Sequence, residues 1–172
     1  MKKLIIVCGI SFAGKSTLGK AIVERFGYAQ VDVDDTKVDL YGPVGKDEDL
    51  NRAEWVRIYD ETDNRIESYL QSGKTVVDAS RNFRKAERQS AREIATRLKA
   101  EFVTIFVDTP ESIARKRLLE NRKKLSRVDL SDEVFEHILH VCEPPAPDEN
   151  PIVFHASDDI DTWISTNTGA LS

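Results

Sequence analysis

Short apolar runs alternate with longer amphipathic stretches along this chain. Lys3-Leu4-Ile5-Ile6-Val7-Cys8 is a continuous run of strand length, the pattern of a strand buried on both faces. Leu18, Ile22 and Phe26 then recur at helical spacing, and Gly27 supplies a stop. Tyr28-Ala29-Gln30-Val31-Asp32-Val33 predicts a second strand ending in Asp34-Asp35-Thr36-Lys37. Gly42-Pro43-Val44-Gly45 marks a loop, and the acidic Asp47-Glu48-Asp49 follows it. A long helix is predicted from Leu50 to Gln71, with Trp55, Tyr59, Thr62, Ile66 and Leu70 along its inner face, and Ser72-Gly73-Lys74 ends it.

Thr75-Val76-Val77-Asp78 predicts a third strand. A helix over Phe83–Ala100 follows, with Phe83, Ala91, Ile94 and Leu98 in an apolar stripe and Arg84, Arg88 and Arg92 on another face. Phe102–Asp108 predicts a fourth strand, and Pro110 opens a helix running to about Asn121. Arg122-Lys123-Lys124-Leu125-Ser126-Arg127 reads as an exposed basic loop. Ser131 can cap the next helix, with Asp132 and Glu133 in its first turn, and Glu143-Pro144-Pro145-Ala146-Pro147 breaks it. Ile152–His155 predicts a fifth strand, and Asp158–Thr166 a closing helix carrying Ile160, Trp163 and Ile164.

This alternation predicts an α/β fold, a five-stranded parallel sheet with helices on both faces. No repeat, low-complexity tract or second domain interrupts it, so residues 1–172 read as one domain. In such sheets ligands bind beyond the carboxyl ends of the strands. Three predicted strands end in acids, Asp34, Asp78 and Asp108, which places all three at one edge.

Composition narrows the partners. A net charge of −5 argues against general affinity for nucleic acid or anionic membrane. Charge is uneven: residues 81–127 hold 14 Lys and Arg against 6 acids, whereas residues 128–172 hold 10 acids and no Lys or Arg. Much of the basic segment reads as a solvated face, but it is also where arginines for phosphate chemistry would come from. Cys8 and Cys142 make no disulfide framework, which points to reduced thiols in a cytoplasmic protein. The first apolar run is too short for a signal peptide and leads into a glycine loop, and no stretch reaches membrane-spanning length.

That loop, Gly9-Ile10-Ser11-Phe12-Ala13-Gly14-Lys15-Ser16, fits G-x-x-x-x-G-K-[ST], the P-loop pattern. Such a loop turns backbone N–H groups around an anion, and the helix that follows aims its positive dipole end at the same point. Lys15 can reach the β- and γ-phosphates of ATP, and the Ser16 hydroxyl can ligand Mg²⁺. A fortuitous glycine turn would not need a buried strand before it and a helix after it; both are present.

With these features the chain resembles the small P-loop kinases of the nucleoside-monophosphate-kinase-like group, in particular their polynucleotide-kinase-like and chloramphenicol-phosphotransferase-like branch. The resemblance rests on Gly9 to Thr17, on Asp34-Asp35-Thr36-Lys37, on Gly73 to Ser80, and on Arg84, Arg88, Arg117 and Arg122 in that order. It implies a P-loop NTPase fold of three α/β/α layers with a small helical lid at about 117–130. It also implies a phosphate site built from Gly9, Ser11, Phe12, Ala13, Gly14, Lys15, Ser16 and Thr17, with Arg122 reaching in from the lid. In that family pattern an Asp after the second strand takes the acceptor's proton. The match here is Asp34, with Lys37 where the family has arginine. Asp32 and Asp35 are rivals, and strand alternation together with the resemblance favours Asp34. Asp78 would help hold Mg²⁺ or contact the substrate, its alternative being a helix cap. Arg117 and Arg122 would close over the transferred phosphoryl group, with Arg127 in the same lid. Arg84 and Arg88 either face the acceptor or decorate their helix.

The expected activity is ATP- and Mg²⁺-dependent phosphotransfer to a hydroxyl of a small-molecule acceptor. A polynucleotide or RNA 5′-hydroxyl kinase is one rival reading; a nucleotide-binding regulatory or toxin-like protein without a dedicated acceptor is another. Thr36-Lys37-Val38-Asp39 and Asp39-Leu40-Tyr41-Gly42 spell GTPase signatures, but too soon after the loop and in the wrong order. His137, His140 and Cys142 crowd one helix end without a fourth ligand and read as surface residues.

Overall fold

Lys3–Cys8 forms strand β1, and every residue of it is buried. In this computed structural model, which describes residues 1–42, 49–124 and 130–172, β1 leads through the glycine loop into helix α1 (Lys15–Phe26). The chain continues through β2 (Ala29–Val31), α2 (Val33–Tyr41), α3 (Arg52–Gln71), β3 (Val76–Asp78) and α4 (Lys85–Arg97). It ends with β4 (Glu101–Asp108), α5 (Glu111–Lys124), α6 (Asp132–Val141), a 3₁₀ turn at Pro147–Glu149, β5 (Ile152–His155), α7 (Ile160–Thr166) and α8 (Thr168–Leu171).

The five strands are parallel, in the order β2-β3-β1-β4-β5. Alternation along β1 builds the layers. Ile5 and Val7 face one core with Leu18 and Ile22 of α1 and Trp163 and Ile164 of α7. Leu4 and Ile6 face the other, with Ile66 and Leu70 of α3 and Ala91 and Ala95 of α4. The fold is therefore the expected three-layer α/β/α arrangement. Because β1 lies between β3 and β4, the glycine loop leaves the sheet at its centre.

The largest departure from the sequence pattern is α2. The second strand stops at Val31, and Asp34 is not a strand end but lies in the first turn of a helix. Asp32 caps that helix, its carboxylate accepting the Asp34 N–H at 2.8 Å. An acid at the cap with two more in the first turn is a strong start signal, and the strand-favouring Tyr28, Val31 and Val33 around it masked that signal. On α3 the buried positions are Ile58, Thr62, Ile66 and Leu70, so Trp55 and Tyr59 turn toward the sheet edge instead of the core. The 3₁₀ turn and α8 carry no apolar period and were not predicted. The expected loop at Pro43–Gly45, the acids Asp47 and Glu48, and Leu125 to Arg127 of the basic loop lie outside the described residues.

Arg88, expected on an exposed helix face or at the acceptor, is 1% exposed. Its Nε and Nη2 donate to the two Glu149 oxygens at 2.6 and 2.9 Å, and its Nη1 donates to the Glu143 carbonyl at 2.9 Å. Arg88 thus ties the proline-rich segment after α6 to α4, a buried place and not the exposed helix face that its spacing suggested, and it lines neither of the cavities flanking the glycine loop. The i, i+4, i+8 spacing could not reveal a carboxylate 61 residues away. Arg88→Met should strand the Glu149 carboxylate and cost about 3–5 kcal/mol, a fall of roughly 10 °C in a thermal melt. The double variant Arg88→Met/Glu149→Leu should recover most of that loss. A single variant melting within a degree or two of the parent would show the pair to be dispensable.

Candidate active site

Only glycine fits where β1 turns into the loop. Gly9 has φ 139°, and a Cβ there would sit 2.7 Å from the Val107 carbonyl oxygen. Gly14 at φ 114° opens α1, so the helix's first free N–H groups face the loop's interior. Lys15 is buried; its Nζ donates to the Gly9 and Ile10 carbonyls at 2.9 Å each and lies 4.7 Å from the centre of the Phe83 ring. From below, Thr109 Oγ1 and Arg117 Nη1 donate to the Ala13 carbonyl at 2.9 and 2.6 Å, and Arg117 Nη1 also reaches the Phe12 carbonyl at 3.1 Å. The loop is held by side chains from two other elements before any anion arrives.

A cavity of about 730 Å³ opens on one side of this loop. Ser11, Phe12, Gly14, Lys15 and Ser16 form its floor. Asp32, Asp34 and Lys37 border it from α2 and its cap; Trp55 and Tyr59 from α3. The segment after β3 adds Ser80, Arg81, Phe83 and Arg84, and α6 closes it with Val134, His137, Ile138 and Val141. A second cavity, of about 460 Å³, lies on the other side of the loop against Gly14, Thr17, Arg117, Asn121, Phe154 and Asp158. The glycine loop is thus shared by two chambers.

The acids sort clearly. Asp34 accepts from Lys37 Nζ at 3.2 Å, with Asp34 mostly exposed and Lys37 buried, 5% exposed in its side chain. Asp32 also faces the cavity, and burial pushes its carboxyl up to about 6. Asp35 instead lines a hollow on the far side of α2, with Arg65 and Tyr69. Helical geometry, not strand alternation, puts Asp34 and Lys37 on one face.

Asp78 is fully buried and absent from the cavity wall. Its Oδ1 accepts from the Ser80 N–H and hydroxyl at 3.2 and 2.9 Å; its Oδ2 accepts from Arg81 Nε and Asn82 Nδ2 at 3.0 and 3.1 Å. Four donors occupy the two oxygens, so Asp78 organises the turn after β3. Arg81 is the residue that the sequence pattern did not single out. It bonds Asp78 and also Asp63 of α3, and it lines the cavity. Its signal was its place, three residues beyond a strand-ending acid.

The lid residues divide as well. Arg117 is bonded under the loop, as above. Arg122 Nη2 reaches the Leu130 carbonyl at 2.6 Å and Asp132 at 2.9 Å, joining the end of α5 to the start of α6. Arg127 lies outside the described residues. Among the described residues, α6 and Leu130 border the first cavity, and Arg117, Asn121 and Lys124 border the second. Arg84, at the start of α4, lines the first cavity. Asp108 ends β4 beside His155 Nδ1 at 3.3 Å and borders neither chamber. Burial raises the Cys8 thiol to about 12, which removes it as a nucleophile at neutral pH.

A central strand, a glycine loop and a helix N-terminus in a parallel sheet of this order define a P-loop nucleotide-binding protein of the small-kinase fold. The chain belongs to the AAA domain family, whose model matches residues 4–145. It is similar to the L-seryl-tRNA(Sec) kinase of Methanococcus maripaludis, 27% identical over 145 residues, 83% of this chain and 53% of that protein. It therefore spans about half the length of this curated relative. Among solved structures it matches a provisionally described kinase of Chloroflexus aurantiacus, 19% identical, with a TM-score of 0.76 over 99% of this chain and 98% of the other. It also matches the APS kinase CysC of Mycobacterium tuberculosis, solved with AMPPNP and APS, 15% identical, with a TM-score of 0.68 over 99% and 96%. These two likenesses are of fold. Among the described residues no helix is long and apolar enough to cross a membrane.

Proposed function

We propose that this protein is an ATP- and Mg²⁺-dependent phosphotransferase that moves the γ-phosphoryl group to a hydroxyl of a small-molecule acceptor. The observation that carries the reading is one cavity bordered by Lys15 and Ser16 at one end and by Asp34, held by Lys37, at the other. Kinase relatives by sequence and fold support it.

On this reading the nucleoside sits in the chamber of Thr17, Arg117 and Asn121, and its phosphates run across the loop. Lys15 exchanges the Gly9 and Ile10 carbonyls for the β- and γ-phosphates, and the loop's N–H groups and the α1 N-terminus bind the remaining oxygens. Mg²⁺ takes few protein ligands and keeps water and phosphate oxygens, so the Ser16 hydroxyl, with Asp32 on the same cavity, is a fitting oxygen set. Bound there, the ion would neutralise charge building between the phosphates. Asp34 accepts the acceptor's hydroxyl proton as the oxygen bonds to the γ-phosphorus and ADP leaves. Arg117 stiffens the loop, and Arg122 holds α6, which we take as the lid, over the acceptor. We place the protein in the cytoplasm, where ATP is at hand and two free cysteines stay reduced.

One observation favours a nucleic-acid-borne hydroxyl instead: the curated relative's name specifies a tRNA. A panel of hydroxyl metabolites and 5′-hydroxyl oligonucleotides, incubated with ATP and Mg²⁺, tests all readings by ADP release and product mass. A small alcohol should raise ADP release well above slow hydrolysis and gain one phosphoryl group. Turnover only with oligonucleotides would favour the nucleic-acid reading. ATP binding without any productive acceptor would favour a regulatory protein.

A further inference from the structure

We infer that the acceptor's hydroxyl is carried on a flat, largely apolar ring that also bears an anionic group. This deepens the phosphotransferase reading and rests on it. Away from the loop, the first cavity combines aromatic and aliphatic surface with the polar side chains of Asp34, Lys37, Arg81, Arg84, Glu87 and His137, and Lys37 and Arg81 already lie against the Trp55 and Tyr59 rings. Trp55 and Tyr59 present rings 5.8 Å apart and tilted by 31°, Phe83 adds a third, and Val134, Ile138 and Val141 form the α6 side. A polyhydroxylated acceptor would set some of its hydroxyls against Phe83, Val134, Ile138 and Val141, where they would lose water without recovering hydrogen bonds. A flat ring instead buries its faces on aromatic and aliphatic surface, and it needs polar partners only at its edges.

Two guanidinium groups lie at those edges. Arg81 is fixed by Asp78 through Nε and by Asp63 through Nη2, which leaves Nη1 without a partner among the described residues. Two carboxylates already balance its charge, so it offers direction more than net charge. Arg84 differs. Its guanidinium has no hydrogen-bond or ion-pair partner among the described residues, and the nearby Glu87 carboxylate is engaged with the Arg84 backbone N–H at 3.2 Å. Arginines of this kind recognise a carboxylate or a phosphate, to which Arg84 can present parallel donors and Arg81 its remaining Nη1. The alcohol would then lie toward Asp34 and the anion toward Arg84, with the ring between them.

The test titrates fragments into the protein with and without saturating AMPPNP and Mg²⁺, read by calorimetry. Failure of AMPPNP to bind would count against the phosphotransferase reading, while the fragment result stands separately. The probes are 4-(hydroxymethyl)benzoate, its phosphonate counterpart, benzyl alcohol and gluconate. One of the two aromatic anions should bind at least about tenfold more tightly than benzyl alcohol or gluconate, the better of them identifying the anion. Arg84→Gln should erase that advantage and Arg84→Lys restore part of it, with AMPPNP affinity unchanged. Gluconate binding as tightly as the aromatic anions would overturn the inference. So would a preference that survives Arg84→Gln, or no binding of either aromatic anion. A 5′-hydroxyl oligonucleotide binding more tightly than all four, with a steep salt dependence, would also overturn it.

Discussion

Lys15→Ala should abolish the thermal stabilisation that ATP or AMPPNP confers. A ligand at a hundred times its dissociation constant stabilises the native state by about 2.7 kcal/mol. For a domain of this size each kcal/mol moves the midpoint by about 2–4 °C, so the parent protein should gain roughly 5–10 °C. Lys15 is buried under the loop with its ammonium already desolvated, so the move from two carbonyls to two phosphates adds attraction at little further cost. Alanine removes that charge while Gly9, Gly14 and the α1 N-terminus keep their geometry. The variant without ligand should also melt lower, by about 4–8 °C, since two carbonyls lose a donor at about 1 kcal/mol each. The comparison is therefore made within each variant, with and without nucleotide. An undiminished shift in Lys15→Ala would remove the loop from nucleotide binding.

The sheet and the glycine loop were legible because their signals are local. A buried parallel strand is a continuous apolar run, and a loop needing positive φ must spell its glycines. β5, predicted at Ile152–His155, appears with those bounds. What stayed hidden depends on partners distant in sequence. Arg84 and Arg88 share a helix face by spacing, yet one ends at the cavity and the other in a buried pair, because only Arg88 meets Glu149 across the fold. Asp78 looks like a free strand-end carboxylate until the turn after β3 folds three donor residues onto it. At Asp32–Lys37 the obstacle was different: helix-start and strand-end signals overlap, and the wrong choice still placed Asp34 at the right edge of the sheet.

Asp34→Asn should leave nucleotide affinity intact and lower the rate of phosphotransfer by about 10²–10⁴-fold, the usual contribution of a positioned general base. The change is nearly isosteric, and the amide oxygen can still accept from Lys37, now 3.2 Å from the carboxylate. The acceptor's position should therefore change little, and the loss should appear in kcat with a small effect on KM. Asp32→Asn is the informative contrast. Asparagine caps a helix as well as aspartate, so the bond to the Asp34 N–H survives while a buried charge disappears. Because burial raises the Asp32 carboxyl from 3.8 to about 6, the native state holds a proton there that the unfolded chain has released. That contribution is fully present below pH 4 and is lost as pH rises through 6. Asp32→Asn should then melt higher than the parent at pH 8 and match it at pH 4. If transfer collapses in Asp32→Asn and persists in Asp34→Asn, Asp34 is not the base; recovery of the Asp32→Asn rate at high Mg²⁺ would mark Asp32 as a metal ligand, and a loss that Mg²⁺ does not restore would mark it as the base. If both variants keep near-normal turnover, neither carboxylate takes the proton, and the kinase reading loses its acceptor side.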